Sequence, residues 1–242
     1  MSTRILLISG HGAGDPGAVA TLGGTEYHEA DENIRFVKAL YTLLQGYDAE
    51  TECYPYERDA YQDYRAGVLG KYVHFALYDY VLEVHFNAYS AESGNGQPKG
   101  SECYVPRGVT KDAVASAILR RLSETMGWPD RGVQQGNYAV ITTAKKAGVP
   151  ASLLEVCFLD DADDLALYLA APERAAQAAA EGLAEGLGLS RRIGEPSPWA
   201  AEDCRWAVER GLFYGDGNGS FRWQEPLTRE EAAAVLHRLT EN

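Results

Sequence analysis

The sequence predicts an α/β fold with a mostly parallel sheet flanked by helices, followed by a small α-helical module at the C-terminus. Short apolar runs alternate with amphipathic helical patterns, as in βαβ units. Several of the runs are continuously apolar, which is typical of strands covered by helices on both faces. A proline- and glycine-containing stretch over residues 190–198 separates the last part of the chain from the rest.

Length and composition limit the class of protein. With 242 residues, the chain suits one medium domain and one small one. A hydrophobic fraction of 45% and a charged fraction of 24% exclude a mainly disordered or collagen-like protein. No apolar run has the length of a membrane-spanning helix, about 20 residues. The net charge of −13 argues against nucleic acid or an anionic membrane as a partner.

Strands and helices are predicted in order along the first 189 residues. The strand predictions are Arg4–Ser9, Glu50–Tyr54, Tyr80–Phe86, Ala151–Phe158 and, more weakly, Ser101–Val105. The helix predictions are Glu29–Leu44, Lys111–Thr125 and the alanine-rich Pro172–Leu187. In such sheets, functional groups gather beyond the carboxyl ends of the strands.

The chain is therefore divided into residues 1–189, a linker over 190–198 and a module over 199–242. The module is expected to contain a helix over Pro198–Arg210, a glycine-rich turn and a second helix. Thr228 and Glu231 form a capping-box pattern at the start of that second helix. So small a unit buries little core by itself, and we expect it to lean on a partner.

The cysteines and the N-terminus indicate a reducing compartment. The four cysteines form no Cys-x-x-Cys pair, which disfavours a cysteine zinc site and a disulfide framework. Cys103 and Cys157 are expected to be small buried residues. The first four residues run directly into Ile5–Ile8 without the pattern of a secretory signal. We expect synthesis and folding in a cytoplasm.

Polar residues at the strand ends suggest a metal site. His11 follows the first strand between two glycines, His85 lies near the end of the third, and Glu155 interrupts an apolar strand. A further acidic stretch, residues 26–33, is placed at the start of the first helix. Two histidines and one carboxylate form a catalytic zinc site with a position left for water, and a further glutamate can act as general base. On spacing alone, a structural role for each histidine stays open.

Six motifs in order carry a resemblance to a known family. They are Gly10-His11-Gly12 with Asp15-Pro16-Gly17-Ala18, Glu29-x-x-x-Asn33, Val84-His85-Phe86-Asn87-Ala88, Lys99-Gly100-Ser101-Glu102, Asp130-Arg131-Gly132-Val133 and Leu154-Glu155-Val156-Cys157-Phe158. Together, over residues 1–189, they resemble the zinc-dependent N-acetylmuramoyl-L-alanine amidases of bacterial autolysins and phage endolysins. The resemblance implies a twisted sheet flanked by helices.

The resemblance also implies roles for individual residues. His11, Glu29 and His85 would hold Zn²⁺, and Glu155 would be the catalytic glutamate. Glu26 competes with Glu29, but only Glu29 keeps the family's four-residue spacing to Asn33. The segment before His11 departs from the family's usual Asp-Pro-Gly lead, and His28, next to Glu29, is expected to be exposed.

Residues around the cleft are expected to contact the substrate. Asn87 either contacts substrate or orients the ligands, with a purely structural role as the alternative. Arg131 is expected to bind substrate. The stretches 92–100 and 130–138 are expected to border the cleft.

The C-terminal module resembles a single S-layer-homology module. The resemblance rests on Trp206–Leu212, Gly215–Phe221 and Leu227–Ala232. It implies binding to a secondary cell-wall polymer, with Arg229 as the anion-contacting residue. The family usually has three tandem modules, so the alternative is a helix pair that docks on the catalytic domain or drives oligomerisation.

Two acidic patterns are not interpreted as metal sites. Asp216-x-Asn218-x-Ser220 lacks the sixth-position glycine and the twelfth-position glutamate of a calcium loop, so it is expected to be a glycine turn. The run of residues 160–164 precedes an apolar helical stretch and is expected to supply its N-cap and first-turn carboxylates.

The functional hypothesis is a peptidoglycan amidase that cleaves the bond between N-acetylmuramic acid and the first L-alanine of the stem peptide. A phage endolysin, made in the cytoplasm and released to the wall, would account for the missing signal pattern; a chromosomal enzyme with another exit route is the alternative. A zinc peptidase acting on stem-peptide bonds and a non-catalytic wall-binding protein remain competing hypotheses.

Overall fold

The computed structural model describes residues 2–12, 14–89, 94–190, 196–215 and 221–241. Over these ranges the strands are Thr3–Ser9 (β1), Val19–Leu22 (β2), Thr25–His28 (β3), Ala49–Cys53 (β4), Tyr80–Asn87 (β5), Ser101–Pro106 (β6), Asp130–Gly136 (β7) and Ala151–Phe158 (β8). The α-helices are Glu29–Leu44 (α1), Ala60–Arg65 (α2), Ala113–Met126 (α3), Ala139–Lys146 (α4), Ala162–Ala170 (α5), Pro172–Leu187 (α6), Ala201–Glu209 (α7) and Arg229–Glu241 (α8).

A six-stranded sheet forms the centre of the N-terminal part, in the order β4-β1-β5-β8-β6-β7. Every neighbouring pair is parallel except β6 and β8, which are antiparallel. The predicted mostly parallel sheet flanked by helices is thus confirmed, and β5 and β8 occupy its middle. These two strands carry His85 and Glu155.

The sheet separates two hydrophobic cores because successive side chains of a strand point to opposite faces. On β1, Ile5 and Leu7 belong to the core formed with α1, α3 and α6. Leu6 and Ile8 belong to the core on the opposite face, which α2 and α4 cover. Burial of both faces explains why these strands are continuously apolar in sequence.

Polar side chains of the middle strands fall on the second of these faces. Val81 and Leu153 mark this face on β5 and β8. Glu83 and His85 follow Val81 at intervals of two, and Glu155 follows Leu153, so their side chains share the face that α2 and α4 cover. The site therefore forms where this face meets the carboxyl ends of the strands.

The predicted helix Glu29–Leu44 is confirmed with the same bounds, but the residues just before it, placed with the helix start, form a strand instead. Glu26 and His28 lie in β3, which pairs with β2 in an antiparallel hairpin, and α1 begins at Glu29. Gly23 and Gly24 both have positive φ angles, as a two-residue hairpin turn requires. Strand β7 and helices α2 and α4 were also absent from the prediction.

Other local predictions are confirmed. The Asp161 side chain caps α5 by accepting from the backbone N–H groups of Asp163 and Asp164. All four cysteines lie in the described ranges and are unpaired, with Cys103 and Cys157 fully buried.

The C-terminal part begins with a 3₁₀ turn over Pro198–Ala200 and continues into α7. The capping box before α8 is formed as predicted: Thr228 Oγ1 accepts from the Glu231 N–H at 3.1 Å, and Glu231 Oε2 accepts from the Thr228 N–H at 2.8 Å. The calcium-like Asp216–Ser220 stretch lies outside the described residues, as do residues 191–195 of the predicted linker and residues 92–93 of the predicted cleft border. Among the described helices, none combines the length and apolarity needed to span a bilayer.

Candidate active site

Three predicted ligands meet around the Glu29 carboxylate. Oε2 of Glu29 lies 3.2 Å from Nε2 of His11, and Oε1 lies 2.9 Å from Nδ1 of His85. One potential ligand atom from each of the three residues lies within 4.8 Å of the other two. Glu26 is not part of this group, because its carboxylate lies 2.7 Å from His28 Nε2.

The backbone around His11 is shaped to bring these side chains together. His11 has a φ of 59°, a left-handed conformation that non-glycine residues rarely adopt outside special sites. A Cβ on Gly10 would lie 2.1 Å from the His85 ring, and a Cβ on Gly17 would lie 2.6 Å from Glu29 Oε2. Gly10 and Gly17 therefore provide the space that the histidine rings and the carboxylate occupy.

The donor set fits a zinc ion. Two imidazole nitrogens and one carboxylate converge from three elements, which leaves a fourth tetrahedral position for water or substrate. His11 also belongs to a second group of potential ligands with Asp15 and Asp59. That group has one histidine and two carboxylates, a poorer match to the nitrogen-rich sites that zinc prefers.

Each histidine has a second carboxylate on its other ring nitrogen. Asp15 Oδ2 lies 3.2 Å from His11 Nδ1, and Glu83 Oε1 lies 3.4 Å from His85 Nε2. Such outer carboxylates fix the tautomer and the ring orientation of metal-binding histidines. Neither residue had a predicted role, although Asp15 lies in the first of the six motifs and Glu83 interrupts an apolar strand in the same way as Glu155.

The ionisation of Glu29 and the protonation of the two histidines depend on one another. Burial opposes ionisation of Glu29, but hydrogen bonds from His11 and His85 outweigh it and hold the pKa of Glu29 well below its ordinary value. Burial likewise opposes protonation of His85, but its hydrogen bonds to Glu29 and Glu83 raise its pKa well above the ordinary value. A cation bound between these groups would compete with protons for the histidine nitrogens.

Glu155 faces the same site from the neighbouring strand. It is the register partner of His85, and its Oε2 has no hydrogen-bond partner among the described residues. Burial raises the pKa of Glu155 to about 7, with the nearby Glu29 also raising it. A carboxyl group that titrates near neutral pH suits transfer of protons in both directions.

A cavity of about 480 Å³ opens in front of these groups. Its lining includes His11, Glu29, Glu83, His85 and Glu155. Asn137 and Tyr138 from the predicted cleft border line it as well, together with Tyr61 from α2. The cavity is large enough for a small segment of a substrate.

Asn87 and Arg131 are joined through Glu102, a residue that was in a quoted motif but had no predicted role. Asn87 Nδ2 donates to Glu102 Oε1 at 2.5 Å, and Arg131 Nε donates to Glu102 Oε2 at 3.1 Å. Asn87 also lines the cavity beside the catalytic group. Arg131 lines a second cavity of about 650 Å³, which shares Asn87 with the first.

Arg229 belongs to the C-terminal module and lines neither of the two cavities described above. It is the first residue of α8 and is exposed. A cavity of about 520 Å³ in this module is lined by Arg222, Trp223 and Arg238, but Arg229 is not among its lining residues.

An α/β fold with a histidine–glutamate–histidine group, a cavity and a facing buried glutamate is an arrangement typical of metal-dependent hydrolases. Comparisons with known proteins identify the family. The family profile for N-acetylmuramoyl-L-alanine amidase matches residues 5–187, and the profile for the S-layer homology domain matches residues 194–233. The chain belongs to the N-acetylmuramoyl-L-alanine amidase family, so it is a hydrolase of peptidoglycan.

Solved structures agree with this assignment. The catalytic domain of CwlV, an N-acetylmuramoyl-L-alanine amidase from Bacillus (Paenibacillus) polymyxa var. colistinus, is 25% identical, with a TM-score of 0.61 over 78% of this chain and 99% of that one. The CwlD amidase from Clostridioides difficile is 20% identical, with a TM-score of 0.60 over 77% and 98%. The catalytic domain of the CD27L endolysin targeting Clostridia difficile is 20% identical, with a TM-score of 0.57 over 76% and 97%. Among curated proteins, no sequence match to this chain was found.

Proposed function

We propose that His11, Glu29 and His85 hold one zinc ion and that Glu155 transfers protons during cleavage of the bond between N-acetylmuramic acid and L-alanine. The observation that carries this proposal is the convergence of both imidazoles on Glu29, with Glu155 in register beside His85. The donor set is the one that zinc hydrolases use.

A zinc ion held by His11, Glu29 and His85 would supply Lewis acidity for the scissile carbonyl and for the attacking water. The protein's own groups perform the remaining work. Glu155, whose Oε2 has no partner among the described residues, accepts a proton from the attacking water and then donates it to the departing alanine nitrogen. Asp15 and Glu83 keep the histidine rings oriented.

The contacts of Asn87 support a role at the mouth of this site. Its side-chain amide nitrogen donates to Glu102, which leaves the amide oxygen directed away from that bond. Because Asn87 lines both cavities, it is suited to contact the stem peptide where the peptide passes from the first cavity into the second. We assign Asn87 and Arg131 to substrate binding.

We further propose that the chain consists of a catalytic domain over 1–189, a linker over 190–198 and a wall-binding module over 199–242. The match to the S-layer homology domain supports association with the cell wall. Binding of a secondary wall polymer through exposed Arg229 is the finer proposal. Substituting Arg229→Gln should weaken sedimentation with purified walls, whereas the matched Arg210→Gln should not; equal binding of all three proteins would contradict a role for Arg229.

The physiological role proposed is lysis of a bacterial host as a phage endolysin. The similarity of the catalytic domain to that of the CD27L endolysin supports this role. External addition of the protein to intact cells of wall-bearing bacteria should lower their turbidity. A protein that digests purified walls and leaves every tested intact cell unlysed would contradict the endolysin role and leave the amidase activity standing.

Product analysis on purified walls tests the proposed reaction. The zinc-loaded protein should release new L-alanine amino termini without new reducing sugar ends, and a chelator should stop the release. New reducing ends would indicate a glycosidase, and amino termini of other stem residues would indicate a peptidase. Wall binding without any release would indicate a non-catalytic protein.

A further inference from the structure

The second cavity next to the catalytic group contains two cationic side chains. The Arg131 guanidinium carbon lies 4.9 Å from the centroid of the Phe158 ring, and Lys99 Nζ lies 5.3 Å from the same centroid. All three residues line the cavity of about 650 Å³. Because the chain carries a net charge of −13, two cations on one aromatic ring are an unusual local environment for this protein.

The carboxylates that pair with these cations in the described part of the chain also accept hydrogen bonds from other groups. Glu102, only 6% exposed, accepts from Asn87, from the Tyr104 hydroxyl at 3.0 Å and from Arg131 Nε. Asp161, which lies 3.8 Å from Lys99 Nζ, is 2% exposed and caps α5. Glu102 thus holds Arg131 in place by one edge of the guanidinium group.

The other edge of Arg131 remains available to a ligand. Across the described part of the chain, its terminal nitrogens Nη1 and Nη2 make no hydrogen bond, and the side chain is 42% exposed. A planar pair of N–H donors matches the two oxygens of a carboxylate. The stacking on Phe158 further restricts the orientation of the guanidinium plane.

The sheet fixes the distance between this edge and the catalytic glutamate. Glu155 of β8 is the register partner of Glu102 in β6, and Arg131 lies on the next strand, β7, between the partners of Ser101 and Cys103. Since neighbouring strands are about 4.8 Å apart, the Arg131 backbone lies roughly 10 Å from that of Glu155. Consecutive residues of a peptide are about 3.8 Å apart, so a group on the second stem residue comes within reach of the Arg131 side chain.

From this arrangement we infer that Arg131, oriented by Glu102 and accompanied by Lys99, binds a free carboxylate on the second residue of the stem peptide. In peptidoglycan this residue is a glutamate joined through its side-chain carboxyl, and its α-carboxyl is either free or amidated. The enzyme would therefore prefer walls in which this group is a carboxylate over walls in which it is a carboxamide. This inference rests on the proposed amidase function.

The test uses two soluble muramyl tripeptides that differ only in the α-carboxylate or α-carboxamide of the second residue. For the zinc-loaded wild-type protein we expect kcat/KM to be at least about tenfold higher on the carboxylate form, as for one charge-assisted pair. Arg131→Gln should reduce this ratio to within about twofold, whereas Arg107→Gln, a surface change of the same kind, should leave the ratio unchanged.

A second variant distinguishes the loss of a substrate contact from misfolding of the protein. Arg131→Lys keeps a positive charge for Glu102 but loses the planar pair of donors, so its ratio should lie between those of the wild type and Arg131→Gln. Equal cleavage of both substrates by the wild type, or a tenfold preference that survives in Arg131→Gln, would overturn the inference. Failure of the wild type to cleave either tripeptide or purified walls would instead contradict the proposed function on which it rests.

Discussion

His85 and Glu155 are register partners on the two middle strands of the sheet, so a predicted metal ligand and the predicted proton-transfer group stand side by side. Their separation is set by strand pairing, and both strands are buried on both faces by helices. The relative position of the two groups therefore depends on paired strands in the buried centre of the sheet. A site on a rigid sheet needs little reorganisation when substrate arrives.

Substituting Glu155→Gln should separate catalysis from metal binding. The amide keeps the shape of the side chain but accepts no proton, so kcat should fall by about 10²–10⁴-fold. Zinc content, measured on the purified protein by elemental analysis, should stay at the wild-type level because Glu155 is not one of the three ligands. A variant that retains near-wild-type activity would contradict the role of Glu155.

The pH dependence should follow the ionisation of Glu155. Burial raises the pKa of Glu155 to about 7, and the group must be ionised to accept a proton from water. Activity should therefore fall as the pH decreases through the pKa and level off above it. A bound cation favours the carboxylate, which places the acid limb of the loaded enzyme at or below pH 7. An acid limb at clearly alkaline pH would rule out Glu155 as the controlling group.

The choice between Glu29 and Glu26 can be tested with matched variants. Glu29 lies between His11 and His85, whereas Glu26 pairs with His28 on the β2–β3 hairpin. Glu29→Gln should lose bound zinc and activity, and Glu26→Gln should keep both. Loss of zinc in Glu26→Gln with retention in Glu29→Gln would reverse the assignment.

Glu83 should increase zinc affinity without being a ligand. Its carboxylate faces His85 Nε2, and it is only 5% exposed. Loss of such an outer carboxylate typically weakens metal binding by about 10–100-fold. We expect Glu83→Gln to weaken zinc affinity by roughly tenfold, in competition with a chromophoric chelator. Glu50→Gln, on the exposed edge strand β4, is the control. Equal zinc affinities of the two variants would contradict a role for Glu83 in zinc binding.

The parts of this protein that sequence predicted well are those with strong periodicity. The middle strands and helices α1 and α6 were predicted because their burial leaves continuous or periodic apolar patterns. Helices α2 and α4 are short, and the β2–β3 hairpin has one exposed face, so their patterns are weak. Propensity in such segments is overridden by packing against the sheet.

The candidate site shows the same division. His11, Glu29, His85 and Glu155 could be proposed from sequence because each is a polar residue in or next to a strand, or at a helix start, and lies within one of the six motifs. Glu83 gave the same signal as Glu155, a charged residue inside an apolar strand, but it lies in no motif that carries the family resemblance. The role of Glu102 depends on contacts to Asn87 and Arg131 that join three segments, and nothing in local sequence reveals such a junction.

The most direct test of the central claim is the position of the metal in zinc-loaded crystals, measured by anomalous diffraction at the zinc absorption edge. We expect one strong peak, bound by His11, Glu29 and His85, with zinc–nitrogen distances of about 2.0–2.1 Å. A peak at the His11, Asp15 and Asp59 group, with Glu29 and His85 left unbound, would contradict it.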